Sequence, residues 1–107
     1  MSKLEQFQNI NMNLLLLDEE CKEVGMCCSK ALRFGLTDTD PDDPKAVPKY
    51  QQLENELGDL MAIIDILLSN NIGVTRDGIL AAKERKFQRL ARYYGTGDMV
   101  VNKALGK

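Results

Sequence analysis

The sequence predicts an all-α protein, a helical bundle of three to four helices that oligomerises. Apolar residues recur at helical spacing, no stretch alternates apolar and polar residues as a strand does, and all three prolines fall in one segment. The chain of 107 residues is expected to form one domain over residues 1–95, followed by a C-terminal tail over residues 96–107. Because a domain of this size has a small core, assembly with copies of itself is expected.

The first helical stretch is predicted over about residues 3–34. Three asparagines within residues 9–13 weaken helix propensity and predict a break there. Gly35 is a natural residue to end the helix, since glycine adopts the left-handed conformation found after many helices. Residues 35–48 hold three prolines and four aspartates, so this segment is predicted to be a loop.

Two further helices complete the predicted bundle. The second spans about residues 49–70 and is apolar on nearly all sides, which predicts burial on most of its surface. Thr75 is a favourable N-cap for a third helix over residues 75–94, and Gly95 is expected to end it.

Charge is unevenly distributed along the chain. The net charge of −2 gives no general reason to expect a nucleic acid partner. Residues 75–94 carry six Lys or Arg and two acids, whereas the remaining chain holds eight basic and fourteen acidic residues. An acidic centre with one basic helix suits a ligand that brings both a metal ion and phosphate groups.

The absence of histidine and the placement of the cysteines exclude several kinds of site. Without histidine there are no His-based zinc sites, catalytic triads or Glu-x-x-His di-iron bundles. Cys21, Cys27 and Cys28 share one predicted helix and form no Cys-x-x-Cys pair, so we interpret them as reduced, mostly core-filling thiols of a cytoplasmic protein. The four-residue apolar run Leu14–Leu17 falls far short of the roughly 20 residues that a membrane span needs.

Four acidic residues interrupt the apolar faces of the first two helices. Glu20 and Glu23 form one pair with i,i+3 spacing, and Glu56 and Asp59 form the other. Within about 40° of Glu20 around the helix lie five apolar or small residues: Leu16, Val24, Cys27, Ala31 and Phe34. Glu56 and Asp59 similarly align with Ile63 and Ile66. Both acidic pairs are therefore expected to face inward.

Inward carboxylates repel one another unless a positive charge lies between them. Two unit charges about 4 Å apart cost on the order of 4 kcal/mol at an effective dielectric constant of 20. All-oxygen ligation favours Mg²⁺, with Mn²⁺ as the alternative ion. The competing interpretation is ion pairing with Lys83, Lys86 and Arg89 of the third helix. Spacing alone leaves the two interpretations about equal, and the presence of two acidic pairs on separate apolar faces favours a metal ion.

At these residues the chain resembles the MazG-like all-α nucleoside triphosphate pyrophosphohydrolases. That family carries Glu-Glu-x-x-Glu on one helix and Glu-x-x-Asp on the next, which correspond here to Glu19–Glu23 and Glu56–Asp59. The Lys-Phe-x-Arg of its following basic helix corresponds to Lys86–Arg89. The resemblance covers roughly residues 14–93, and the three motifs in order are more specific than any one of them. The family often has Asn two residues before that Lys, where this chain has Glu84.

The resemblance implies a Mg²⁺-dependent nucleotide pyrophosphohydrolase that cleaves a (d)NTP to (d)NMP and pyrophosphate. Glu20, Glu23, Glu56 and Asp59 are then the expected metal ligands, and Glu19 or Glu20 is the expected catalytic base. Lys83, Lys86 and Arg89 are expected to bind the phosphates.

The expected partners are a nucleoside triphosphate and further copies of the chain, as a homodimer or homotetramer, with no nucleic acid and no membrane. A second subunit is expected to complete the substrate pocket. Two alternatives stay open: a phosphoribosyl-ATP pyrophosphatase, which shares the metal motif, and a non-catalytic helical oligomerisation or regulatory module.

Overall fold

The computed structural model describes residues 2–39, 42–43, 47–95, 103 and 106, and it describes the side chains of all of these except residues 4, 6 and 7. Four helices account for most of the chain. They are α1 (Lys3–Gln8), α2 (Ile10–Phe34), α3 (Lys49–Ser69) and α4 (Arg76–Tyr93). No strand occurs among the described residues. The all-α prediction is therefore confirmed.

The boundary between α1 and α2 lies at Asn9, within the predicted break. Asn9 caps α2: its side-chain oxygen accepts a hydrogen bond from the amide of Met12 at 3.1 Å. At the other end, Gly35 has a φ of 92°, and its amide donates to the Ala31 carbonyl at 2.8 Å. This positive φ is the conformation that glycine adopts at low cost, and it ends the helix as predicted.

The loop that follows α2 is tied to the start of α3 by backbone hydrogen bonds. The amide of Lys49 donates to the Asp38 carbonyl at 3.1 Å, and the amide of Tyr50 donates to the Leu36 carbonyl at 2.8 Å. Lys49 is 2% exposed, and its ammonium lies 5.5 Å from the centre of the Phe34 ring. This cation–π contact joins the end of α2 to the start of α3.

A second contact joins the opposite ends of the same two helices. The side-chain amide of Asn70 donates a hydrogen bond to the side-chain oxygen of Asn13, which is 1% exposed. The start of α2 therefore lies at the end of α3, so the two helices form an antiparallel hairpin. They pack against each other along their length, and α1 packs against α2.

The last helix begins and ends at the predicted residues. The hydroxyl of Thr75 accepts a hydrogen bond from the amide of Gly78 at 3.0 Å, which caps α4. Gly95, with a φ of 65°, follows the end of the helix.

Residues 1–72 and 73–107 form two compact units, so α1–α3 belong to one unit and α4 to the other. The single domain over residues 1–95 stays a prediction. The predicted tail, residues 96–107, lies outside the described residues apart from Lys103 and Gly106.

Burial within the described chain is sparse. Leu67 and Ala91 are the only apolar side chains among the described residues that count as buried. The expectation that the second helix is buried on most sides is wrong for the single chain, because Leu57 and Met61 of α3 are exposed. None of the described helices combines the length and the apolar character needed to cross a membrane.

Candidate metal centre

Three carboxylates from two helices meet in the α2–α3 hairpin. Glu20 lies in the first half of α2. Glu56 lies in the first half of α3, and Asp59 lies one turn further on, at the midpoint of α3. The i,i+3 spacing places Glu56 and Asp59 on one side of α3, and the antiparallel hairpin brings that side to Glu20. One oxygen from each residue lies within 4.8 Å of an oxygen of the other two. We call these three residues the acidic triad.

The acidic triad lies nearer to the surface than the sequence predicts. Glu20 and Glu56 are half-buried, and Asp59 is exposed. One oxygen of Glu20 is nevertheless fully buried: Oε2 has almost no accessible surface and no hydrogen-bond partner among the described residues. A buried carboxylate oxygen without a partner is costly and uncommon in folded proteins. It marks a position where a positive group or a proton is needed.

No cationic side chain described in the same unit forms an ion pair with the acidic triad. Among the described residues of 2–72, no Lys or Arg nitrogen lies within the 4.0 Å of a salt bridge to these three carboxylates. The ion pair between Lys22 and Asp18, at 2.8 Å, lies on the opposite face of α2. The competing interpretation, pairing with Lys83, Lys86 and Arg89, concerns α4 in the other unit and remains a prediction.

Burial and neighbouring charge act on Glu20 in the same direction. Removal of its carboxylate from water raises the pKa of Glu20, and the negative charges of Asp59, Glu56, Glu23 and Glu19 raise it further, in that order. The neighbouring carboxylates therefore disfavour the charged form of Glu20. A cation at this position would reverse that effect.

Two further predicted site residues lie beside the acidic triad: Glu23, the fourth predicted metal ligand, and Glu19, the alternative predicted base. Glu23 is exposed, and its carboxylate is not among the three that converge. Glu19 is also exposed. Both charges contribute to the raised pKa of Glu20, so both carboxylates lie within electrostatic reach of it.

The three predicted phosphate-binding residues, Lys83, Lys86 and Arg89, are exposed on α4 in the second unit. The Lys83 ammonium lies 6.0 Å from the centre of the Phe87 ring, one turn further along the same helix. Their role in phosphate binding stays a prediction.

Cys27, which the sequence predicts only as a core-filling thiol, lies near the acidic triad. It is half-buried, and burial of its thiol raises the pKa of Cys27, with the Glu56 carboxylate as the next cause. Helical geometry could have predicted this proximity from the sequence, because Cys27 lies only about 20° from Glu20 around the helix.

The residues present fit a divalent cation. Three carboxylates supply hard oxygen donors and a formal charge of −3, and Mg²⁺ and Mn²⁺ prefer oxygen ligands. The unpartnered oxygen of Glu20 is the observation that tests the fit, since a metal ion would satisfy it. When this chain is compared with protein-family models, curated proteins and solved structures, no significant match is found.

Proposed function

We propose that this chain is a Mg²⁺-dependent nucleoside triphosphate pyrophosphohydrolase, which converts a (d)NTP and water to (d)NMP and pyrophosphate. The observation that carries the proposal is the acidic triad: three carboxylates from two helices converge, and one buried oxygen among them lacks a partner. The order of the three motifs along the chain, Glu19–Glu23, Glu56–Asp59 and Lys86–Arg89, supports the same activity.

Glu20, Glu56 and Asp59 would hold the metal ion, with Glu23 as the further predicted ligand. When bound, Mg²⁺ neutralises phosphate charge and lowers the pKa of a coordinated water. The carboxylates themselves fix the position of the reaction, because they come from two helices that pack against each other and cannot separate without breaking the hairpin.

Two further groups of residues complete the proposed reaction. Glu19 or Glu20 accepts the proton of the attacking water while the bond between the α- and β-phosphates breaks and pyrophosphate leaves. Lys83, Lys86 and Arg89 donate charge-assisted hydrogen bonds to the phosphate oxygens. The active form is proposed to be a cytoplasmic homodimer or homotetramer, with no nucleic acid partner.

The test is a pyrophosphate-release screen over the common NTPs and dNTPs, with and without Mg²⁺. Wild-type protein should release pyrophosphate from at least one nucleotide only when Mg²⁺ is present. Glu56→Gln should lower kcat/KM by about 100-fold or more, because it removes a charged metal ligand. Glu54→Gln, an exposed neighbour on α3, should retain activity. The absence of turnover with every nucleotide would overturn the hydrolase and favour the non-catalytic module.

A further inference from the structure

Two cations and one aromatic side chain form a row along α4. We call Lys86, Arg89 and Tyr93 the α4 row, and they follow one another at intervals of three and four residues. This spacing keeps them within about 60° of one another around the helix. The amide of Tyr94 donates to the Leu90 carbonyl at 3.0 Å, so the helical geometry extends through Tyr93. All three members of the row are exposed.

The α4 row is a surface of one charge sign. The two acids of α4, Asp77 and Glu84, lie at least about 120° from every member of the row around the helix. Neither Lys86 nor Arg89 forms an ion pair among the described residues. Because no carboxylate of α4 lies beside these two cations, they suit an anionic ligand that brings its own acceptor oxygens.

Tyr93 exposes most of its ring to water. It is 83% exposed, the largest value among the aromatic residues that the structure describes. Tyrosine is enriched at binding interfaces, since its ring supplies a large apolar contact surface. The Tyr94 ring meets the Tyr93 ring edge to face, with the ring centroids 5.1 Å apart and the planes at 75°. This contact orients the Tyr93 ring and leaves most of it open to a ligand.

The order and spacing of the α4 row match the parts of a nucleotide. Along the helix axis, Arg89 lies about 6 Å and Lys86 about 10.5 Å from Tyr93. In a nucleoside triphosphate one ribose separates the base from the α-phosphate, and the β- and γ-phosphates follow. A base stacked on Tyr93 therefore brings the α-phosphate towards Arg89 and the terminal phosphates towards Lys86. Aromatic rings bind bases by stacking, and cationic side chains bind phosphates by charge-assisted hydrogen bonds.

We propose that the α4 row is the nucleotide-recognition surface of this protein, in which Tyr93 stacks on the base, Arg89 binds the α-phosphate and Lys86 binds the terminal phosphates. The ligand class rests on the proposed function, which already gives Lys86 and Arg89 a role with phosphate. The row adds Tyr93 and the direction in which the nucleotide lies. Every base has a face that can stack, so this surface selects nucleotides over inorganic polyphosphate without requiring one particular base.

The test compares the dissociation constants of ATP, AMP and inorganic tripolyphosphate. NMR titrations of the full chain in EDTA measure binding while the proposed Mg²⁺-dependent reaction is prevented. Tyr93→Leu should raise the dissociation constants of ATP and AMP about 10-fold and leave that of tripolyphosphate unchanged, because only the nucleotides carry a base.

The two cations should give a different pattern across the same ligands. Lys86→Gln should raise the dissociation constants of ATP and tripolyphosphate about 10-fold and leave that of AMP unchanged, because AMP lacks the terminal phosphates. Arg89→Gln should weaken the binding of all three ligands by a similar factor.

Three variants are matched controls. Tyr93→Phe keeps an aromatic ring and should bind all three ligands as the wild type does. Arg92→Gln and Tyr94→Leu change exposed residues that each lie about 100° from Tyr93 around the helix, and each should change the dissociation constants less than about threefold. Circular dichroism would show that all variants retain their helices.

Three results would overturn the α4 row. One is a wild-type protein that binds no ATP. Another is an equal loss of ATP affinity in Tyr93→Leu and Tyr94→Leu, because binding would then not distinguish the row from the neighbouring face. The third is an equal loss of ATP and tripolyphosphate affinity in Tyr93→Leu, because Tyr93 would then not act through the base.

The pyrophosphate-release screen separates this inference from the proposed function. If the protein hydrolyses a nucleotide and Tyr93→Leu changes neither its KM nor its ATP affinity, the α4 row is wrong and the hydrolase stands. If the expected binding pattern is found and no nucleotide is hydrolysed, the α4 row stands and the hydrolase is wrong.

Discussion

Asn70 donates a side-chain hydrogen bond to Asn13, and the two residues lie 57 positions apart in the sequence. Asn13 is among the most completely buried residues described, although it is polar. The pair joins the first turns of α2 to the end of α3. It therefore fixes how far one helix can slide along the other, and with it the position of Glu20 relative to Glu56 and Asp59.

Loss of this pair should destabilise the hairpin. Asn13→Ala leaves the partly buried amide of Asn70 without this acceptor and should lower the free energy of unfolding by about 1–3 kcal/mol. Asn11→Ala is the matched control, because Asn11 lies in the same turn region and is exposed. Urea unfolding followed by circular dichroism measures both changes. Equal stability of the two variants would show that the buried pair contributes nothing specific.

Neutralisation of Glu56 should distinguish a metal centre from a set of ion pairs. If the acidic triad is repulsive without metal, Glu56→Gln in chelator should leave the free energy of unfolding unchanged or raise it. If instead Glu56 is paired with a cation of α4, the same substitution should cost about 3–5 kcal/mol, as for other broken buried pairs. Chemical unfolding in the presence of EDTA measures the difference, and the second outcome would contradict the metal centre.

Mg²⁺ should stabilise the folded protein. At a free concentration 100-fold above its dissociation constant, a ligand that binds only the folded state adds about 2.7 kcal/mol. Thermal unfolding over a Mg²⁺ titration should show this increase for wild type and for Glu54→Gln, and should show it strongly reduced for Glu56→Gln. A Tm that rises equally in all three proteins would indicate a general salt effect and no site at the acidic triad.

Without metal, Glu20 should make the stability depend on pH in a definite direction. Burial and the neighbouring carboxylates raise the pKa of Glu20 above its ordinary value of 4.5, so the folded state keeps this proton at pH values where the unfolded state has lost it. The stabilising contribution of Glu20 to the free energy of unfolding is therefore fully present below the ordinary pKa. It is lost as the pH rises through the raised pKa of the folded state.

The measurement is the difference in free energy of unfolding between wild type and Glu20→Gln across that pH range, in EDTA. The difference should move in favour of Glu20→Gln as the pH rises, because glutamine cannot ionise. Glu54→Gln should keep the wild-type trend. A difference that does not change with pH would show that the folded environment leaves Glu20 unperturbed.

The pKa of the Cys27 thiol should respond to the charge of Glu56. Burial of the thiol and then the Glu56 carboxylate raise the pKa of Cys27, whereas the nearby Lys30 ammonium lowers it. In protein that keeps only this cysteine, the midpoint of the pH dependence of iodoacetamide alkylation should lie above the ordinary thiol value. Glu56→Gln should lower that midpoint and Lys30→Gln should raise it. If both substitutions moved the alkylation midpoint in the same direction, the result would contradict the proximity of Glu56 and Lys30 to Cys27.

Local patterns in the sequence were sufficient to predict the helices and the residues at which they begin and end. The caps at Asn9 and Thr75 and the glycines at 35 and 95 act through hydrogen bonds and backbone angles within a few residues, so their effects can be predicted without knowing the fold. The placement of Glu20, Glu56 and Asp59 among the apolar positions of their own helices also followed from local periodicity.

Other features needed the tertiary structure because they depend on which helix faces meet. Periodicity predicted Glu23 to face inward with Glu20, yet the packing of α2 on α3 buries one oxygen of Glu20 and leaves Glu23 exposed. Nothing local marked the burial of Lys49 or the pairing of Asn13 with Asn70, since their partners come from distant parts of the chain. The sequence alone thus determined the helices and the chemical character of each face, through interactions that span a turn or two. The tertiary structure decided which carboxylates converge and which apolar face stays exposed, because only the packing of α2 on α3 selects one face of each helix.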